Sequence, residues 1–157
     1  MDPLPHANIG RVTGLIELIR DKPGKHDVFR LGQHLHYELD DLLPVTEAAK
    51  LLGFVKIEAG DIELTQLGIE FADADENRRK NIFKSRIEHL PIIRQIYQAL
   101  HKKRKKRISR EAVLESLQAH FSVVEAERQL QTAINWGRYA ELFSYDVDSE
   151  EFYLDGA

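Results

Sequence analysis

Near the start of the chain, apolar residues recur at helical spacing. Val12, Leu15, Ile16 and Ile19 stand at i, i+3, i+4 and i+7, the stripe of one buried helix face. Pro23-Gly24 ends that helix. Asp27 can cap a second, with Val28, Leu31 and Leu35 on its buried side. A third is expected from Asp41, which places Pro44 in the first turn, where a missing N–H costs nothing. Val45, Ala48, Ala49 and Leu52 form its stripe, and Gly53 is the expected left-handed stop. The period then changes from helical to alternating. Val55 and Ile57, the turn Glu58-Ala59-Gly60-Asp61, then Ile62 and Leu64 read as a β-hairpin. Thr65 can cap a short helix carrying Leu67, Ile69 and Phe71.

A charged connecting helix is expected from about Asp75 to His89, with Ile82, Phe83 and Ile87 on its apolar side. Pro91 opens the next helix, which carries Ile92, Ile93, Ile96, Tyr97 and Leu100. From there the first pattern repeats. Ser109 can cap a helix bearing Val113, Leu114 and Leu117. Ser122-Val-Val-Glu125 is a capping box, followed by the stripe Val123, Ala126, Leu130, Ala133 and Ile134. Gly137 is the expected stop. Tyr139 to Tyr145 and Phe152 to Leu154 then alternate around Asp148-Ser149-Glu150 as a second hairpin. The two halves share little residue identity; what repeats is the order helix, helix, capped helix, glycine, hairpin.

That order predicts a mainly α chain with small β-hairpin wings, in tandem winged-helix-like units. The first unit spans 1–74, a connecting helix 75–90 and the second unit 91–157. Leu15, Ile19, Leu35, Ala49, Leu52 and Ile62 should share one core. Ile96, Leu100, Leu117, Leu130, Ile134 and Leu154 should share a second.

Composition narrows the class. A chain of 157 residues with 43% hydrophobic and 31% charged residues is globular rather than disordered. It has no cysteine, which excludes disulfides and thiolate metal sites and suits a reducing cytoplasm. No apolar run approaches the roughly 20 residues of a membrane-spanning helix, and Met1 to Arg11 lack the order of a secretory signal. A cytoplasmic protein is expected.

The net charge of −4 hides an asymmetry. Lys102, Lys103, Arg104, Lys105, Lys106 and Arg107 are six consecutive cations, so the remainder of the chain carries −10. By the repeat, this run falls between the first two helices of the second unit. Two uses are open: salt-sensitive binding of phosphates, or a solvated loop that balances acidic neighbours. Winged helices often read DNA through the third helix. In the first unit that segment holds Glu38, Asp40, Asp41 and Glu47 against Lys50 alone, a surface that repels phosphate. In the second, Arg128, Gln129, Gln131 and Asn135 stand against Glu125 and Glu127, close to neutral. DNA binding is therefore the alternative reading.

Trp136 and the candidate interaction residues Tyr139, Phe143, Tyr145, Phe152 and Tyr153 cluster at the last helix and hairpin. They can build the core, or, where exposed, anchor a partner or a second copy of the chain. No metal site is expected. His34 and His36 are two apart, a spacing that points side chains apart on a helix, and no recognised zinc motif is present. No cofactor and no catalysis are expected either, because nucleophile elbow, cysteine and phosphate-binding glycine loop are all missing.

Several stretches resemble the AAA-associated C-terminal domain found behind the ATPase domain in ABC transporter subunits of the nitrate, sulfonate and bicarbonate class. They are GLIELI at 14–19, ELDDLLPVTEAAKLLGF at 38–54, GDIELTQLG at 60–68, FADAD at 71–75 and ERQLQTAINWGRYAELFSYD at 127–146. The likeness runs from Leu4 to about Leu154. It implies a non-catalytic accessory or regulatory domain whose partner is an ABC transporter ATPase or permease subunit, peripheral to the inner membrane through the transporter. Two features depart from that pattern. The chain contains no G-x-x-x-x-G-K-[ST] loop, so it either acts in trans or is part of a longer polypeptide. The hexabasic run is also foreign to the family.

Overall fold

In the computed structural model, which describes residues 1–155, the first helix, α1 (Ile9–Asp21), starts where Asn8 accepts the Arg11 N–H at 2.9 Å. That bond satisfies one of the donors a helix start leaves orphaned. Asp27 closes the short strand β1 (His26–Asp27) and caps α2 (Val28–Leu35) by accepting the Arg30 N–H. Next comes α3 (Leu39–Leu51), which ends as expected. Gly53 has φ +81°, its N–H reaches the Lys50 carbonyl and the Phe54 N–H reaches Ala49, a Schellman closure. Strands β2 (Val55–Glu58) and β3 (Asp61–Leu64) join through Ala59-Gly60, both at positive φ, the tight turn that matches strand twist. Thr65 caps α4 (Gln66–Asp73), and α5 (Glu76–Ile87) follows.

The second series is α6 (Pro91–Lys102), β4 (Arg107–Ser109), α7 (Arg110–Gln118), α8 (Val123–Tyr139), β5 (Ser144–Asp146) and β6 (Glu151–Tyr153). Ser109 caps α7, and the Ser122 hydroxyl accepts the Glu125 N–H to start α8. The chain is thus mainly helical with small antiparallel sheets. Each sheet has three strands, β1-β3-β2 and β4-β6-β5. The repeat extends to single hydrogen bonds: Val28 N–H donates to Gly60 at 3.0 Å, and Arg110 N–H donates to Glu150 at 2.8 Å. Gly60 and Glu150 are both left-handed.

Contacts divide the chain into Pro5–Phe83, the N-terminal unit, and Met1–Leu4 with Lys84 onward, the C-terminal unit. In the first, Val12, Leu15, Ile16 and Ile19 of α1 are fully buried, as are Val45, Leu52, Phe54, Ile62 and Phe71. Phe54 stacks on Phe71 with ring centroids 4.5 Å apart. Arg20 binds the Asp73 carboxylate through two bonds of 2.9 Å, tying α1 to the end of α4. That pairing raises the Arg20 pKa and holds Asp73 below the usual carboxylate range. In the C-terminal unit, Ile92, Ile93, Leu100, Leu130, Trp136 and Phe152 are fully buried.

Four expectations need correction. Leu35 and Leu154 are half-buried rather than core residues: Leu35 is the last residue of α2, and Leu154 follows the last strand. The third helix starts at Leu39, because the Glu38 carbonyl already accepts the Asp41 and Leu42 N–H groups. Pro44 is therefore inside the helix, and the Asp40 carbonyl has no N–H at position 44 to receive. Each hairpin gains a third strand, β1 or β4. These strands escape the sequence pattern because two or three residues cannot show alternation, and β4 begins within the charge run.

The fourth correction concerns Gly137. It does not stop α8, which runs on to Tyr139. The left-handed residue there is Glu141, φ 58°, with its N–H on Arg138 and the Leu142 N–H on Gly137. Gly137 instead lets the Phe143 ring lie on the helix backbone: an added Cβ would stand 2.1 Å from Phe143 Cζ. Gly137→Ala should cost about 2 kcal/mol, in the range of overpacking a full core. Trp136, the sole tryptophan and one residue away, reports the change. A denaturation midpoint by its fluorescence equal to that of the parent protein would remove this role.

Candidate interaction surfaces

The basic run straddles three elements. Lys102 is the last residue of α6, residues 103–106 form a loop, and Arg107 opens β4. Its six cations are not equivalent. Arg107 pairs with Glu151 at 3.2 Å and lies over the Tyr153 ring, 5.0 Å from the centroid. Lys106 adopts φ 55° and its ammonium donates to the His101 carbonyl. Lys102, Lys103, Arg104 and Lys105 are exposed and form no ion pair with any described residue. Among the described residues only Arg107 of the six is offset by a carboxylate, since a hydrogen bond to a neutral carbonyl leaves the Lys106 charge in place. The strand role of Arg107 could not be read from a run of like charges.

The aromatic cluster divides as well. Phe143 and Phe152 are buried, packed edge-to-face at 5.7 Å, and so belong to the core rather than to an interaction surface. Tyr145 is half-buried with its ring edge-on to Phe152 at 5.0 Å, and partial burial raises its hydroxyl pKa. Tyr139 is helical rather than extended, and both it and Tyr153 are half-buried. Beside them, Asp146 accepts the N–H groups of Asp148 and Ser149, which hold its carboxyl below the usual range and pin the second turn.

The third helices carry what the sequence pattern missed. On α3 the exposed side holds Leu39 and Leu43, 53% and 46% exposed, among Glu38, Asp40 and Glu47. Asp41 is engaged by Arg11 at 3.0 Å. On α8 the first two residues, Val123 and Val124, are 68% and 70% exposed. Val123 is therefore not part of the core. It does lie on the stripe of Ala126 and Leu130, which are fully buried, but the first turn itself is left uncovered. Of the amide and cationic groups on α8, Arg128 is exposed, Gln131 donates to Glu127 at 3.3 Å, and Gln129 is completely buried. Arg110 also pairs with Glu127.

Among the described residues, no group of three or more histidines and carboxylates is placed to hold a metal ion, and no helix is long and apolar enough to cross a membrane. The arrangement is that of a small helical protein with three-stranded sheets, whose exposed chemistry lies on helix faces and one loop. Residues 29–146 match the model of the C-terminal AAA-associated domain, and the chain belongs to that family. The match spans the resembling stretches from residue 38 to 146, and leaves GLIELI at 14–19 outside. No curated protein and no solved structure matches the chain.

Proposed function

We infer that the chain is a non-catalytic accessory module that regulates an ABC transporter ATPase of the nitrate, sulfonate and bicarbonate class through protein–protein contacts. The two winged-helix-like units serve as docking scaffolds, and the ATPase or permease subunit is the partner, which would bring the module to the inner membrane. The observation that carries this reading is the character of the third helices. Leu39 and Leu43 are exposed amid carboxylates on α3, and Val123 and Val124 are exposed at the start of α8. Apolar groups flanked by acids suit a protein partner and repel a phosphate backbone. Membership of the AAA-associated family supports an ATPase as that partner.

The purified chain should show no ATP turnover, since it contains no phosphate loop. Turnover that follows the protein through purification and vanishes on one substitution in this chain would overturn the non-catalytic reading. The partner reading is tested by capture from the native host, with bound proteins identified by mass spectrometry. A transporter ATPase or permease lost with Leu39→Asp/Leu43→Asp or Val123→Asp/Val124→Asp is the expected result.

The alternative, a winged-helix DNA-binding regulator, rests on the five cations of the basic run that form no ion pair with a described residue. Duplex affinity is expected to be weak, independent of sequence and steeply dependent on salt. Each phosphate contact adds roughly 0.9 to the slope of log affinity against log salt, so five cations without an ion pair set a limit of about five. Replacing Lys102, Lys103, Arg104, Lys105, Lys106 and Arg107 with Gln should abolish it and leave partner capture intact. About thousandfold discrimination between a specific and a scrambled duplex would favour the DNA reading and direct attention to Arg128, Gln131 and Asn135.

A further inference from the structure

The N-terminal unit holds a cavity of about 280 Å³ between the end of α1, β1 and α2. Its polar wall is strongly cationic in a chain whose net charge is −4. Lys22, Lys25 and Arg30 line it, together with the imidazoles of His26 and His34. The one carboxylate in the lining is Asp27, and it is already engaged, accepting the Arg30 N–H at 3.1 Å as the cap of α2. None of the three permanent cations forms an ion pair with a described residue. The lining thus carries three permanent cations against one carboxylate, and a bound anion lowers the repulsion among them.

The backbone beside this cavity is tied at two points. Lys22 closes α1, its N–H on Ile19, and its carbonyl receives the His26 ring N–H. Gly24 turns the loop at φ 110°, open to solvent where a Cβ would stand. The loop thereby holds Lys22 and Lys25 opposite the first turns of α2. The same place in the repeat is occupied in the C-terminal unit by residues 103–106, where Lys103 closes α6 and Lys106 is left-handed. Both units thus gather cations between the first helix and the first strand. In the N-terminal unit those cations line a cavity that α2 also walls.

We propose that this cavity binds a small organic phosphate monoester. Arg30 supplies a planar fork that matches two phosphate oxygens, and Lys22 and Lys25 supply point charges. A second feature selects an ester over a bare ion. Orthophosphate would leave much of 280 Å³ unfilled, and the remaining wall includes the half-buried Leu18, apolar surface for a small organic body. The volume is at the lower edge of ligand pockets, which restricts the organic part to a few carbons. The site is separate from the residues that carry the partner reading, so either can fail without the other.

Titration calorimetry on the full chain tests this, with glycerol 3-phosphate and inorganic phosphate as probes. Glycerol 3-phosphate should bind at one site and more tightly than inorganic phosphate. Arg30→Gln and the double variant Lys22→Gln/Lys25→Gln should each weaken it at least tenfold while retaining the parent's circular dichroism and melting temperature. A variant with the six cations of 102–107 replaced by Gln should bind it unchanged. The proposal is overturned by absence of binding, by equal affinity for the two probes, or by binding that survives the cavity variants and disappears with the basic run.

Discussion

Gly68→Ala is expected to destabilise the N-terminal unit by about 3 kcal/mol, the upper end of what overpacking a core costs. A Cβ at residue 68 would stand 2.1 Å from the carbonyl oxygen of Phe54 and 3.3 Å from a Leu64 methyl. The first contact is with backbone, so no rotamer change can relieve it. That same carbonyl accepts the Thr65 N–H at 3.0 Å, Thr65 donates its hydroxyl to Gly53, and the hydroxyl oxygen caps Gly68 at 3.1 Å. Pushing α4 away would therefore loosen its cap and separate the Phe54–Phe71 stack together. For a unit of this size the melting temperature by circular dichroism should fall by roughly 10–20 °C. Gly14→Ala is the control: its Cβ would meet only Tyr37 Oη, at 3.4 Å, and it should be neutral or gain up to about 1 kcal/mol from helix propensity. Equal melting of the two variants would contradict this account of α4.

Gln129→Leu should cost the C-terminal unit about 3 kcal/mol although it puts an apolar side chain of similar size into the core. Gln129 is completely buried, and its amide clamps one residue from both sides. The Leu4 N–H donates to Oε1 at 2.7 Å, and Nε2 donates to the Leu4 carbonyl at 2.9 Å. Nε2 also reaches Glu125 at 3.0 Å. Leucine would strip two buried backbone groups of their partners, each worth about 1–3 kcal/mol when left unsatisfied. Gln129→Glu keeps the acceptor for the Leu4 N–H but loses the donor and faces Glu125, so it should rescue little. Hydrogen exchange reads the clamp directly. The Leu4 amide should be protected in the parent and exchange far faster in Gln129→Leu, and equal protection in both would show that Gln129 does not hold the N-terminal residues.

Much of this fold was legible because its signals are local. Asp27, Thr65, Ser109 and Ser122 are caps that act within three residues of themselves, and Ala59-Gly60 names its own turn. The stripe of α1 needs no partner to be recognised. Apart from the local misplacement of the α3 start, several errors occur where a residue's use depends on something distant. Gly53 and Gly137 look alike in sequence, yet one supplies a left-handed turn and the other makes room for Phe143. Val123 fits the buried stripe of α8 by angle and is exposed because nothing covers the first turn. The candidate surfaces follow the same division. The charge of the basic run is plain in the sequence, but the pairing of Arg107 with Glu151 and the hydrogen bond from Lys106 to the His101 carbonyl are not.

The sequence by itself determined the order of the main helices and hairpins, most of their caps and the repeat, because periodicity and capping are settled by side chains one or two turns apart. It also determined the acidic character of α3, which is a count of neighbouring charges. Tertiary structure alone decided that Met1–Leu4 pack with residues 125 positions away, that each hairpin acquires a third strand, and that Lys22, Lys25 and Arg30 surround one cavity. Those outcomes depend on how far apart separate segments come to rest once two cores have closed. Backbone hydrogen bonding and steric exclusion set that distance, and neither leaves a periodic trace along the chain.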